Sequence, residues 1–114
     1  IHYAADELAA AERNWERALD LGCKLQTGQA ERGAATDPRA LEDLVRLANR
    51  LAHTRLDAGD RKSAREGIDA VLPVLDAAYQ QLVERSDLHL RGADRRDRLG
   101  RAIEGLRGLA TANR

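Results

Sequence analysis

Apolar residues recur at three- and four-residue spacing along most of this chain, the pattern of helices that bury one face. In segment 4–26 the stripe is Leu8, Ala11, Trp15, Ala18, Leu19, Gly22 and Leu25. Asp6, Glu7, Glu12 and Glu16 fill the N-terminal half of that segment and Lys24 its last turn, a polarity that suits the helix dipole. Segment 27–36 has no stripe and holds Gly28 and Gly33, so it reads as a connecting loop. Asp37-Pro38 then starts a second helix: the Asp side chain caps free N–H groups and Pro suits the first helical position. Its stripe, Leu41, Leu44, Val45, Ala48, Leu51, Ala52 and Leu56, runs to Gly59.

Gly59-Asp60 is a stop followed by a start, since Gly closes one helix and Asp caps the next. Helices joined by so short a turn must be antiparallel neighbours. The third helix carries Ala64, Ile68, Val71, Leu72, Leu75, Ala78, Tyr79 and Leu82 on one face. Pro73 lies inside this pattern, but the period passes through it without a phase shift and no turn residues follow. A kinked, continuous helix to about Arg85 is therefore expected. Arg91-Gly92-Ala93-Asp94 reads as a second turn and cap, after which Leu99, Ala102, Ile103, Leu106, Leu109 and Ala110 form a last stripe. Gly100, Gly105 and Gly108 weaken this helix by about 1 kcal/mol each relative to Ala, or permit close approach to a neighbour.

The pattern thus predicts an all-α fold of antiparallel helical hairpins, and composition agrees. Ala, Leu, Arg and Glu favour helices, whereas aromatic residues make up only 3% of the 114. The length suits one domain, residues 1–114. Because the chain begins at Ile1 without Met, we expect it to be excised from a longer one. No basic-then-apolar leader and no membrane-spanning apolar run are visible, so a cytoplasmic location and no membrane partner are expected.

The charge balance, 19 Lys+Arg against 19 Asp+Glu, argues against nucleic-acid binding by bulk charge. Charge is nevertheless uneven: residues 1–31 hold six acids and three bases, and residues 85–114 eight bases and four acids. The ordinary reading is a solvated surface with scattered charge, and the sharper one is that the two ends attract or that the basic end meets an acidic partner. Acids interleave the Arg-rich stretch from Arg91 to Arg107 and no aromatic residue stacks beside it, which leaves a single strand no platform.

The two caps at Asp60 and Asp94 are 34 residues apart. Leu47 to Leu72, with Ala52, the Gly59-Asp60 turn and Ala64 at the crossing point, resembles a tetratricopeptide repeat. Leu51 and Ile68 fall on that family's large apolar positions. Ala48 and Arg55 stand where it usually has a large or aromatic residue, Pro73 comes about three residues early, and Arg98 replaces the second crossing alanine. The resemblance implies stacked helical hairpins with a ligand groove lined by the first helix of each pair. It points to Arg46, Asn49, Arg50, His53 and Asp57 as partner-binding residues, receiving an acidic or C-terminal peptide. The residues themselves leave a plain bundle of four or five helices open.

Catalytic patterns are missing from the sequence. There is no Gly-rich phosphate loop, and His2, His53 and His89 are not at metal-ligand spacings. The lone Cys23, beside the apolar stripe, reads as a small buried hydrophobe without an activating base, and Ser63 as a first-turn residue. Ser86 lacks a nucleophile motif, and Trp15 reads as a core anchor. We therefore expect no enzymatic activity, no cofactor and no metal. The expected function is protein–protein interaction, as a scaffold or regulatory module binding a peptide or partner domain. A homodimerising helical bundle is the alternative, and a small-molecule sensor with a pocket near Trp15 and Tyr79 a third.

Overall fold

A computed structural model describes residues 2–33, 37–85 and 90–114, with side chains described except at 2–6, 8, 30, 85 and 90–95. His2, Tyr3 and Leu8 lie outside the described side chains, as do residues 34–36 of the expected loop, Ser86 and His89. The described residues form four helices: α1 (His2–Glu31), α2 (Pro38–Asp57), α3 (Arg61–Arg85) and α4 (Leu90–Ala112). Among the described residues there is no strand, and no helix is long and apolar enough to cross a membrane. The architecture is an all-α four-helix bundle in which each helix packs on the next.

The central hairpin forms as its punctuation requires. Asp37 accepts a hydrogen bond from the Arg39 N–H at 3.0 Å, with Pro38 in the first turn. At the other end of α2, Gly59 takes a φ of +83°, which Gly adopts at no steric cost. That turn lets the Asp60 N–H donate to the Arg55 carbonyl and the Gly59 N–H to that of Leu56, both at 2.9 Å. Two carbonyls that the helix end would strand are thereby satisfied. Asp60 then caps α3 by accepting from the Ser63 N–H at 3.1 Å. The stripes of α2 and α3 meet as read: Leu41, Leu44, Val45, Ala48, Leu51 and Ala52 are buried, as are Ala64, Ile68, Val71, Leu72, Leu75 and Ala78. Leu99, Ile103, Leu106 and Ala110 of α4 complete the core. α3 runs unbroken through Pro73, which is exposed.

Three readings need correction. The helix of segment 4–26 continues to Glu31, so the first half of the expected loop 27–36 is helical. Thr27 returns its hydroxyl to the Cys23 carbonyl at 2.9 Å instead of breaking the helix. The turn comes at Gly33, with φ +70°, rather than at Gly28. The stripe of α1 also mixes two faces. Leu19 and Gln26 are buried, Trp15 and Cys23 pack partly against the core, and Leu25 is 62% exposed. The third correction is at Asp94, which lies inside α4. The 34-residue offset therefore does not join two equivalent turns: Asp60 caps a helix and Asp94 continues one.

The oppositely charged ends do not meet, because α1 and α4 make no contact among the described residues. Each finds its counter-charges on the central hairpin. Glu12 and Glu16 of α1 reach Arg55 of α2, and Arg107 of α4 holds both oxygens of Asp76 of α3 at 2.7 Å.

Candidate functional site

α2 spends one face on the core and leaves Arg46, Asn49, Arg50, His53 and Asp57 exposed. α4 packs chiefly on α3 and only leans on α2. An open groove of about 520 Å³ lies between α2 and α4. Val45, Leu99, Ala102 and Leu109 give it an apolar floor, and Glu42, Arg46, Asn49 and His53 on one wall face Arg98 on the other. The groove stays open because α4 presents small residues to it: a Cβ built at Gly105 meets no atom within 4 Å. Arg46 is paired only loosely, 3.8 Å from Asp43, with both side chains about three-quarters exposed at 73% and 76%. Such surface pairs contribute about 0–1 kcal/mol, so the guanidinium can turn to a better acceptor.

The five residues singled out on α2 are divided by the structure. Arg46, Asn49 and His53 line the groove. Arg50 turns to the other flank of α2, where its guanidinium carbon sits 5.6 Å from the centre of the Trp15 ring. That cation–π contact covers a Trp that is only half-buried. Asp57 is exposed at the C-terminal end of α2, outside the groove. Sequence reasoning missed Arg98, Leu99, Ala102, Gly105 and Leu109, the α4 wall and floor. The signal for them was Ala102 and Gly105 at helical spacing, which reads equally as a close-packing face.

On the opposite flank of α2 the gap to α1 and α3 is closed. Arg55, only 12% exposed, donates from Nε to Oε1 of Glu12 at 3.1 Å and lies 3.5 Å from Oε1 of Glu16. Its Nη1 donates to the Ser63 carbonyl at 3.4 Å. The guanidinium fits because Gly67 has no side chain: a Cβ there would fall 2.6 Å from Nη1.

The other candidate chemistry is dispersed. Cys23 is half-buried, and burial, with repulsion from Asp20 second, pushes its thiol above the ordinary value of 9.0. That is the opposite of what an activated thiolate requires. Trp15 and Tyr79 share no pocket: Trp15 faces Arg50 on α2, whereas Tyr79 packs over Gly100 on α4. Among the described residues, no three His, Cys, Asp or Glu side chains are placed to hold a metal ion. Neither a family model, nor a curated protein, nor a solved structure matches this chain.

Proposed function

We propose that this chain is a protein–protein interaction module, a scaffold or regulatory unit that receives an acidic peptide in the α2–α4 groove. The observation that carries this reading is the pairing of a rim in which two guanidiniums (Arg46, Arg98) and an amide (Asn49) outweigh the one carboxylate (Glu42) with an apolar floor (Val45, Leu99, Leu109) in a groove already open. Carboxylates of the peptide meet the two guanidiniums, an apolar side chain seats on the floor, and Asn49 hydrogen-bonds the peptide backbone. The tetratricopeptide-like hairpin Leu47–Leu72 supports the same choice of wall, since α2 corresponds to the helix that lines the groove in that family. The groove is short, and we expect affinity weaker than about 1 µM, as for small transient interfaces.

The test is titration of acidic and neutral peptide libraries followed by calorimetry. Acidic peptides should bind, and Arg46→Glu with Arg98→Glu should weaken them at least ~10-fold, because the walls then repel the peptide's carboxylates. Arg50→Glu, on the other flank of α2, should have little effect. Equal loss in Arg50→Glu, or unchanged binding in the double variant, would sink the proposal.

A further inference from the structure

The groove leaves one feature of the molecule unused. Leu21 and Leu25 of α1 are 54% and 62% exposed, the most exposed large apolar side chains among the described residues. They sit one turn apart on a face that the bundle does not cover. At heptad spacing that face reads Asn14, Ala18, Leu21, Leu25, Gly28 and Arg32, so two leucines are flanked by small residues and then by polar ones. The order reads the same in size and polarity from either end. Arg17, Lys24 and Glu31 run alongside it on the solvent side, all exposed. Lys24 is balanced by its own Asp20 at 3.1 Å, whereas Arg17 and Glu31 are in no ion pair among the described residues.

We infer that this face binds a second copy of the same chain, with the two α1 helices antiparallel about a two-fold axis near residue 23. A two-fold contact must be self-complementary, and this strip is in its leucines and outer charges, while Lys24, which meets its own copy near the axis, carries its counter-charge in Asp20. Leu21 falls against Leu25 of the second copy, and Ala18 against its Gly28. Those small residues let the backbones approach on either side of the leucine layers. Arg17 comes within a turn of Glu31 of the second copy, and the axis repeats that pair. A parallel arrangement would instead set each leucine on its own copy and place Arg17 beside Gly22 and Lys24 beside Gln29, so that neither charge meets a counter-charge. Ala18 to Gly28 spans only about 15 Å of helix, so the interface belongs to the small, reversible class. Gly22 of α1 packs on Leu44 of α2, which anchors the strip rigidly on the bundle.

The test is sedimentation equilibrium of the full chain from ~1 µM to ~1 mM, with helicity checked by circular dichroism. The wild type should form a dimer within that range, at a dissociation constant above about 1 µM. Leu25→Asp, at a solvent-facing position, should abolish it without loss of helix. Arg17→Glu should weaken it roughly 10-fold, and adding Glu31→Arg should restore it, because the swapped pairs are again complementary. A monomer at ~1 mM would overturn the inference, as would a dimer that survives Leu25→Asp. A charge reversal that weakens association without rescue by the double swap would overturn the antiparallel register.

Discussion

α2 has two flanks, and they differ in what its arginines face. Toward α1 and α3, Arg55 is enclosed, with two carboxylates and a carbonyl around it and no room beyond. Toward α4, Arg46 stands on the rim of an open groove, in a loose ion pair with Asp43 and with Glu42 on the same wall. The same residue type is thus enclosed on one flank and left at an open groove on the other. Neighbouring backbones decide which. Gly67 makes a niche that fits one guanidinium, and α1 supplies Glu12 and Glu16 above it. Beside Arg46, the small residues of α4 make a space that no described side chain fills.

The largest expected effect lies on the closed flank. Arg55→Ala should destabilise the fold by about 2 kcal/mol in urea unfolding. It leaves a niche between three helices and strips Glu12, itself 35% exposed, of its counter-charge. The figure is below the loss from breaking a fully buried pair, because water reaches both carboxylates. A double-mutant cycle with Glu12→Gln separates the ion pair from the packing. If Arg55→Ala changes stability no more than Arg46→Ala does, the contrast between the flanks fails.

A smaller effect, opposite in sign at two positions, comes from the glycines of α4. At Gly105 an added Cβ meets open space, and Ala is favoured over Gly inside a helix by about 1 kcal/mol. Gly105→Ala should therefore raise stability by roughly that amount, and Gly105→Leu should fill the groove and block peptide without unfolding the bundle. At Gly100 the added Cβ would lie 2.6 Å from the Tyr79 hydroxyl oxygen and 3.0 Å from its ring carbon Cζ. The half-buried ring must shift, which offsets the propensity gain, so Gly100→Ala should be neutral or destabilising. Thermal melts of the two alanine variants check this directly. Equal gains at both positions would mean that the α3–α4 seam is looser than the groove comparison requires.

Which parts were legible in the sequence follows from the same physics. The α2–α3 hairpin was, because its caps are local: Asp37, Gly59 and Asp60 each act within a few residues of themselves. The cores of α2 and α3 were, because each has a single apolar stripe. α1 misled because it carries two: Leu19 with Gln26 toward the bundle, and Leu21 with Leu25 away from it. Periodicity shows that an apolar face exists, not which neighbour covers it. Three groove residues of α2 were named from the family resemblance, but the α4 wall could not be, since α2 and α4 meet only through the packing of both on α3. The place of Arg50 over Trp15, away from the groove, was not legible for a related reason, as it depends on how α1 lies.

The smallest expected effect tests whether the hairpin that holds both flanks in register depends on its cap. Asp60 is held below its ordinary value of 3.8, chiefly by hydrogen bonds from the Ser63 side chain and backbone N–H. Its carboxylate is therefore more acidic in the folded chain than in the unfolded one. The unfolded state binds the proton first as pH falls, so the cap's contribution is fully present above about pH 4 and is lost as pH drops through the depressed folded value. Asp60→Asn keeps an acceptor for the Ser63 N–H but has no proton to bind. Over this window the wild type should lose stability more steeply with falling pH than Asp60→Asn, and the two curves should converge once the carboxylate is protonated. Arg46→Ala, remote from the cap, should leave the wild-type slope unchanged. Parallel curves for wild type and Asp60→Asn would show that the left-handed Gly59 turn alone fixes the hairpin, and that both flanks of α2 owe their register to a backbone conformation rather than to a charge.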